Sequence, residues 1–335
     1  MSVIPKTLFE FKEYAFSNLN GNRDTGGGKA HLKVQLIETN VSEMPRISGY
    51  SEWTPLEDTS RWYVAYNHGD YFVVNKVNDR VWAVYSLIEV KKFKKTMSSW
   101  INGNMFLDNC WFSVGSMKSV MNKMNWGESG IGLRFENSVS GCSDPVNISV
   151  KAWYGSDATI GDMFKDAREN FSINSMRMKS HGEDETTSEW YTSGRITFNA
   201  SDDIDSVIYA TNSVCNHYFD ELTHATKLRD SERGAFEFEF KRNVDLDSYA
   251  RNVIKGKNNL KLWMIRTEAY SDFMRFQGVD THTWDRIMLD MGNNYAFMSV
   301  PGKGCVNAAP RLISIQGETV TGNTKAYYNG NEIFA

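Results

Sequence analysis

Hydrophobic and polar residues alternate with a period of two along much of the chain, which is typical of half-buried β-strands. The clearest example is AFEFEF at 235–240, where the three phenylalanines share one face and the two glutamates share the other. The pattern predicts strands at 32–36, Trp62–Tyr66, Tyr71–Asn75, Val81–Val90, Gly130–Glu136, Ile148–Tyr154, Arg195–Asn199, Ser206–Ala210, Ala235–Phe240, Leu260–Arg266, Ala296–Val300 and Arg311–Ile315.

A helical period interrupts this pattern in SMKSVMNKMNWG at 116–127. The hydrophobic residues of this stretch recur at i, i+3, i+4 and i+7, so they share one face of a helix. Ser116 is the predicted N-cap and Gly127 the predicted end. Two further helices are predicted at Ile160–Phe171 and Ser213–Leu228, and the polar stretch Ser172–Gly194 predicts a surface loop.

Strands in this number, without regular alternation with helices, predict an all-β protein with few helices, built as a sandwich or barrel. The 335 residues are 41% hydrophobic, a globular value. The formal net charge of −4 lacks the basic signature of a dedicated duplex-binding protein.

The four cysteines, Cys110, Cys142, Cys215 and Cys305, lie far apart in the sequence and form no CxxC pair. This spacing favours reduced thiols over a zinc site. The N-terminus has no signal-peptide pattern, and no apolar run approaches the ~18 residues of a membrane span. We therefore expect no membrane span.

No recognised catalytic motif is present, so the sequence predicts no enzyme and no required cofactor. His68 is expected in a turn between two strands. His217 and His224 are seven residues apart on one predicted helix, a spacing that favours a solvated face over a metal site. A hydrolase whose site is assembled from distant residues would draw on these histidines and on His282.

The basic run KKFKKT begins at Lys91. In it, Lys91, Lys92, Lys94 and Lys95 are candidates for contacts with nucleic-acid phosphates, and Phe93 is a candidate for stacking on a base. The same run fits a nuclear-import patch or the solvated end of a strand.

An acidic cluster consists of Asp202, Asp203 and Asp205. Clustered carboxylates can bind calcium or magnesium. The spacing of an EF-hand is absent, which favours a solvated loop. If a divalent cation does bind, these three residues are the predicted ligands.

Glycines cluster in GNRDTGGGK, at Gly21, Gly26, Gly27 and Gly28. Such a segment is a flexible linker or a stretch that passes through a narrow space. It is not a phosphate-binding loop, because no GxxxxGK[ST] pattern is present.

Three stretches resemble the capsid proteins of parvoviruses, in particular the short densovirus proteins that lack a phospholipase domain. WFSVGSMKSVMNKMNWGESGIGLRF at 111–135 is similar to that family's aromatic turn, flanking helix and strand. HLKVQLI at 31–37 is similar to its first strand, and MSVPGKGCVNAAPRLISIQ at 298–316 to its last strand and tail.

The resemblance implies an eight-stranded antiparallel jelly-roll β-sandwich with long surface loops and one flanking helix. Residues 1–30 would form an N-terminal arm with the glycine-rich segment, exchanged between neighbours, and residues 31–335 a single capsid domain. About sixty copies would assemble into a T=1 shell that packages single-stranded DNA and binds a host receptor. Such a protein belongs to a virion assembled in the host nucleus.

The resemblance also places the loop at 139–147 at the five-fold pore of the shell. Gly141, Cys142, Ser143 and Asp144 would line this pore, and the glycine-rich segment would lie near it. The alternative function is a soluble β-sandwich protein that binds carbohydrate or forms pores.

Overall fold

The computed structural model describes residues 4–21, 31–137, 146–153, 172–181, 185–240, 243–254, 261–301, 304–319 and 324–334. These residues contain six helices and eighteen strands, and the strands form antiparallel sheets of 11 and 7 members. The predicted antiparallel, mostly β architecture is therefore confirmed.

The helices are α1 (Leu8–Gly21), α2 (Val90–Gly103), α3 (Val114–Lys123), α4 (Ile204–Ser231), α5 (Leu246–Ile254) and α6 (Ala308–Thr319). The strands are β1 (Leu32–Thr39), β2 (Thr54–Pro55), β3 (Trp62–Asn67), β4 (Asp70–Lys76), β5 (Val81–Ser86), β6 (Leu107–Asn109), β7 (Trp126–Asn137), β8 (Val146–Trp153), β9 (Ser172–Ser180), β10 (Thr187–Tyr191), β11 (Arg195–Ala200), β12 (Phe236–Phe240), β13 (Leu262–Ala269), β14 (Phe273–Asp280), β15 (Asp285–Gly292), β16 (Tyr295–Ser299), β17 (Thr324–Tyr328) and β18 (Asn331–Ile333).

The chain divides into two compact units. The first unit consists of Met1–Cys110, Val120–Glu128 and Arg177–Phe219. The second consists of Trp111–Ser119, Ser129–Met176 and Asp220–Ala335.

In the first unit, neighbouring strands follow the order β2-β3-β4-β5-β1-β11-β10, and β6 also pairs with β1. Every side chain of β1 and of β5 is buried, because helices cover both faces of the sheet. On one face, Phe11 of α1 packs against Trp62 and Tyr85, with ring centroids 6.0 and 5.7 Å apart. On this same face, Asn75 Nδ2 donates to Asn212 Oδ1 of α4 at 3.0 Å.

The opposite face of this sheet packs against α2. The hydrophobic side chains of α2 point at the sheet with helical spacing. Residues of the loop before β2 close the edge of this core. The buried cluster consists of Ile37, Ile47, Tyr50, Ala65, Phe72, Val74, Trp82, Val84, Ile88, Phe93, Met97, Trp100, Ile101 and Leu107.

In the second unit, seven strands follow the order β13-β14-β15-β16-β12-β17-β18. Helix α5 contacts β13 and α6, and α6 contacts β17. At the sheet, Arg311 Nη1 donates to Asp280 Oδ1 at 2.9 Å, and both residues are buried. The side chains on the inner face of this sheet are buried, whereas those on the outer face alternate with them and are largely exposed.

Two predicted strands are helical in the structure. Ser206–Ala210 lies within α4, and Arg311–Ile315 lies within α6. Both segments have short apolar runs, which periodicity alone does not assign to a strand or a helix. The predicted loop Ser172–Gly194 is also wrong, since it contains β9 and β10.

The helix predicted after residue 116 exists as α3, but its ends differ from the prediction. The cap is Ser113, whose Oγ accepts a hydrogen bond from the Ser116 backbone N–H at 2.8 Å. Beyond the helix end, Asn125 adopts the left-handed conformation with φ of 55°, while Gly127 already belongs to β7. An asparagine tolerates this conformation better than most residues.

None of the helices in the described ranges is both long and apolar enough to cross a membrane.

Candidate functional site

A cleft of about 610 Å³ lies in the first unit, between α2 and the segment 46–48. Ten residues line it, of which three are basic and none is acidic. The lining residues are Arg46, Ile47, Ser48, Lys92, Lys95, Thr96, Ser99, Trp100, Gly103 and Asn104. Their composition identifies the cleft as a basic, hydroxyl-rich surface.

Helix α2 forms because its sequence is amphipathic over its whole length. The buried side chains Phe93, Met97, Trp100 and Ile101 recur at i, i+4, i+7 and i+8. The polar side chains that line the cleft, Lys92, Lys95, Thr96 and Ser99, recur at i, i+3, i+4 and i+7. Packing of the first face on the sheet therefore fixes the second face toward the cleft.

The opposite wall of the cleft is held to α2 by one backbone carbonyl. Trp100 Nε1 and Trp53 Nε1 each donate to the Pro45 carbonyl oxygen at 3.0 Å. The two indole rings lie 5.8 Å apart. Gly49, with φ of 83°, supplies the left-handed turn that follows.

Arg46 is oriented by its own loop. Its Nε donates to the Tyr50 carbonyl oxygen at 2.8 Å, and Nη1 lies 3.2 Å from Glu52 Oε1. Both Arg46 and Glu52 are largely exposed, so the ion pair is weak and leaves the guanidinium available to an anion.

The two lysines of the cleft differ in their partners. Lys92 Nζ donates to Asp70 Oδ2, and this contact raises the pKa of Lys92. Lys95 is exposed and has no ion-pair partner within the described part of the chain. Lys95 is thus the cation that an incoming anion meets without displacing a carboxylate.

The lining side chains provide cations and hydrogen-bond donors. Ser48, Thr96 and Ser99 add hydroxyl groups, and Asn104 adds an amide. No Asp, Glu, His or Cys belongs to the ten lining residues. Its chemistry suits binding of phosphate or sulfate groups.

The structure separates the two parts of the predicted nucleic-acid contact. Lys91, Lys92, Lys94 and Lys95 are exposed on α2, and two of them line the cleft. Phe93 is 0% exposed and packs against Phe72, so its predicted stacking on a base is wrong. The interpretation as the solvated end of a strand is also wrong, because the run lies in a helix.

Sequence reasoning missed α2 because the strand at Val81 was extended to Val90. The signal was nevertheless present, since Phe93, Met97, Trp100 and Ile101 have the 3.6-residue period of an amphipathic helix. The cleft's second wall has no such signal, because residues 46–48 are brought to α2 by tertiary contacts alone.

The acidic cluster at the start of α4 makes three separate sets of contacts. Asp203 caps the helix, since its carboxylate accepts from the backbone N–H of Asp205 and of Ser206, both at 2.9 Å. Asp205 forms a 2.5 Å ion pair with Lys12. Asp202 accepts from the backbone N–H of Glu185 at 3.1 Å. A calcium or magnesium site at these residues stays a prediction.

Of the histidines singled out in the sequence, His282 is fully buried, and its backbone N–H donates to Asp280 Oδ1 at 2.9 Å. His68 and Gly69 connect β3 to β4, as predicted, with φ of 46° and 92°. His217 Nδ1 lies 3.2 Å from Lys123 Nζ. In the second unit, Glu221 accepts from Ser116 Oγ at 2.6 and 2.8 Å.

The described cysteines, Cys110, Cys215 and Cys305, are buried and form no disulfide with one another. Burial raises the pKa of Cys110 and of Cys215, which keeps these two thiols protonated and unreactive.

Gly21 is the last residue of α1. The other predicted residues of the glycine-rich segment and of the pore loop, Gly26, Gly27, Gly28, Gly141, Cys142, Ser143 and Asp144, lie outside the described residues.

The fold and the cleft define a mostly β protein of two compact units that carries a basic cleft on one helix. The profile of the family described as MJECL33-like protein matches residues 12–327, so the chain belongs to this family. An uncharacterized protein named MJECL33, from Methanocaldococcus jannaschii, is 20% identical over 348 aligned positions. The alignment covers 88% of this chain and 85% of that relative.

Proposed function

We propose that this protein is a non-enzymatic binding protein whose α2 cleft takes the phosphates of single-stranded nucleic acid. The observation that carries the proposal is the convergence of Arg46, Lys92 and Lys95 on one cleft whose ten lining residues include no carboxylate. Cations in this arrangement attract phosphate groups and release the counterions around them.

An extended ligand fits better than a single phosphate group. Lys91 and Lys94 are exposed beside the two lysines of the cleft, so positive charge continues along the first turns of α2. Single-stranded nucleic acid presents phosphates in series and can follow such a line of charge. The flanking hydroxyl groups of Thr96 and Ser99 can donate to phosphate oxygens.

Lys95→Gln tests this proposal, with Lys227→Gln as the matched control. Both lysines are exposed and lie on helices, but Lys227 belongs to α4 and is not among the residues that line the cleft. Binding of a labelled single-stranded oligonucleotide is measured by fluorescence anisotropy across a range of salt concentrations. We expect Lys95→Gln to weaken binding and to reduce the slope of log K against log salt by about 0.7, the value of one lost phosphate contact.

Three results would overturn the proposal. The first is no binding by the wild-type protein at low salt, and the second is equal binding by the Lys95→Gln and Lys227→Gln variants. The third is competition by inorganic phosphate at the same concentration of phosphate groups, which would indicate a site for a small anion.

A wider form of this proposal is that the protein is the subunit of a capsid shell. In it, the chain is an eight-stranded jelly-roll subunit, about sixty copies of which enclose single-stranded DNA. The basic cleft supports it, because a packaged genome needs such contacts. Negative-stain electron microscopy tests it, with uniform closed particles as the expected result. Monomers under every assembly condition would contradict the shell without bearing on the cleft.

A further inference from the structure

The outer face of the seven-stranded sheet exposes five large hydrophobic side chains on β13, β15 and β16. Their exposed fractions lie between 37% and 61%, although the alternate residues of the same strands are buried. The five residues are Trp263, Ile265, Met288, Tyr295 and Phe297. We call this set the apolar face.

The strand register places the apolar face in neighbouring rows, in which polar side chains lie between the hydrophobic ones. Ile265 pairs with Gln277, Gln277 with Met288, and Met288 with Ser299, which forms one row across four strands. Phe297 lies in the next row, opposite Asp290. Side chains in directly paired positions of adjacent strands lie about 5 Å apart and touch.

The area of this face is close to that needed by a stable dimer. Exposed parts of five large side chains total roughly 400–500 Å² of apolar surface. Gln277, Ser299 and the charged residues around the apolar face bring the total toward the roughly 800 Å² per partner of a standard interface. Two twisted sheets of the same hand also pack well on each other, about 10 Å apart.

Charged side chains also lie on this face, among and beside the hydrophobic ones. Glu237 and Glu239 point outward from β12, on one side of the face, and have no ion-pair partner among the described residues. Arg275 points outward from β14, between β13 and β15, and its guanidinium donates to Asp290 Oδ1 and Oδ2 at 2.7 and 2.8 Å and to Glu268 Oε1 at 2.9 Å. A two-fold axis can run parallel to the strands, midway between the two facing sheets and level with the gap between β15 and β16. Rotation about this axis places β14 of one copy over β12 of the other.

We propose that the apolar face is an interface between two copies of this chain, packed sheet on sheet. In this arrangement Met288 of one copy lies over β16 of the other. The interface is isologous, so each copy gives the same surface. It holds with or without closure into a shell, and it does not involve the α2 cleft.

Met288→Glu tests the interface, with Tyr209→Glu as the matched control. Both substitutions place a carboxylate at an exposed hydrophobic position, but Tyr209 lies on α4, outside the apolar face. The full chain is studied without nucleic acid by sedimentation velocity from 1 to about 100 µM, the range of ordinary transient to stable pairs. We expect the wild type and Tyr209→Glu to form dimers or larger species, and Met288→Glu to remain monomeric.

A monomeric wild type across this range would overturn the proposal, as would association that persists in Met288→Glu. If Met288→Glu and Tyr209→Glu were both monomeric, the proposal would also be overturned, because the effect would not be specific to the apolar face. Unchanged oligonucleotide binding by a monomeric Met288→Glu variant would show that the two proposed surfaces act separately. Thermal unfolding of each variant confirms that the compared species are folded.

Discussion

The two sheets of this protein differ in how their faces are covered. In the first unit, all eight side chains of β1 are buried, because α1 and α4 cover one face and α2 covers the other. In the second unit, buried Leu262 and Met264 alternate with exposed Trp263 and Ile265 along β13. The same strand geometry therefore produces a closed core in one unit and an open face in the other.

The difference explains where each unit can bind a partner. Helices cover both faces of β1 and β5 in the first unit, and its candidate site lies on the outer side of a covering helix, where α2 presents lysines. The seven-stranded sheet keeps one face free, and its own side chains form the candidate surface. A strand that is covered on both faces has a nearly continuous hydrophobic sequence, as in VWAVYS of β5. In a strand with one open face, buried and exposed residues alternate.

The largest expected effect is the difference in stability loss between alanine substitutions at two tryptophans, one in each sheet. Trp82 is 1% exposed under α2, and Trp263 is 61% exposed on the apolar face. We expect Trp82→Ala to lower the free energy of unfolding by about 3–5 kcal/mol, because it leaves a cavity in the covered core. Trp263→Ala should change it by less than about 0.5 kcal/mol. Urea denaturation, at concentrations where the chain is monomeric, measures both.

Equal losses in the two alanine variants would contradict the comparison, since they would mean that the outer face of the seven-stranded sheet is covered within one chain. A small loss for Trp82→Ala would place α2 away from the sheet and would remove the wall of the basic cleft. Phe variants at both positions keep part of the ring volume and should reproduce the order of the losses at a smaller size.

The strand predictions match more of the covered sheet than of the open one, in which β14, β15, β17 and β18 are not predicted. The alternation in β12 and β13 encodes both the strand and the buried face, so AFEFEF alone assigns each side chain. Of the helices that cover the first sheet, α4 contains the predicted helix Ser213–Leu228, whereas α1 and α2 are not predicted. At Arg311 a predicted strand is helix α6, because a short apolar run next to a buried ion pair has no distinguishing period.

Only the α2 side of the basic cleft can be predicted from the sequence. The lysines of α2 are visible as a charged run, but Arg46 lies more than 40 positions away and reaches them through the contacts of Trp53 and Trp100 with one carbonyl. The inward orientation of Phe93 follows from its helical spacing with Met97 and Trp100, a local period that the predicted strand Val81–Val90 does not take into account. Tertiary contacts, which no local pattern records, decide only the position of Arg46.

The pH dependence of the free energy of unfolding tests whether water is excluded from the interior of the covered sheet. Lys33 of β1 is buried, and its Nζ donates to the carbonyl oxygens of Leu87 and Ile88. Burial lowers the pKa of Lys33 from 10.5 to about 8, although nearby Glu89 partly opposes this. The folded protein therefore releases this proton at a lower pH than the unfolded chain, so the ionisation of Lys33 favours folding increasingly as the pH rises from 8 to 10.5.

Lys33→Met isolates this contribution. We expect the free energy of unfolding of the wild type, relative to that of Lys33→Met, to rise by about 1.4 kcal/mol per pH unit within this window and to be constant below it. Urea denaturation of both proteins between pH 7 and about 10 measures the difference. A constant difference across the window would mean that water reaches Lys33 and that this sheet is open on the α2 side.

The smallest expected effect concerns the start of α4, which covers the other face of the same sheet. Asp203 caps this helix through the backbone N–H groups of Asp205 and Ser206. Burial raises the pKa of Asp203, but hydrogen bonds from Ser206 and from these N–H groups outweigh burial and lower it overall. The cap therefore stabilises the fold above the ordinary carboxyl pKa and loses this effect as the pH falls below about 4.

Asp203→Ala should lower the free energy of unfolding by about 1 kcal/mol at neutral pH, the usual loss for a helix N-cap, and by less under acid conditions. Asp205→Ala is the matched control, because it removes a neighbouring carboxylate that forms only an exposed ion pair with Lys12. Denaturation with calcium or with a chelator separates the cap from a cation site. If calcium stabilises the wild type but neither variant, these carboxylates act as ligands, and the cap alone does not explain their clustering at the start of α4.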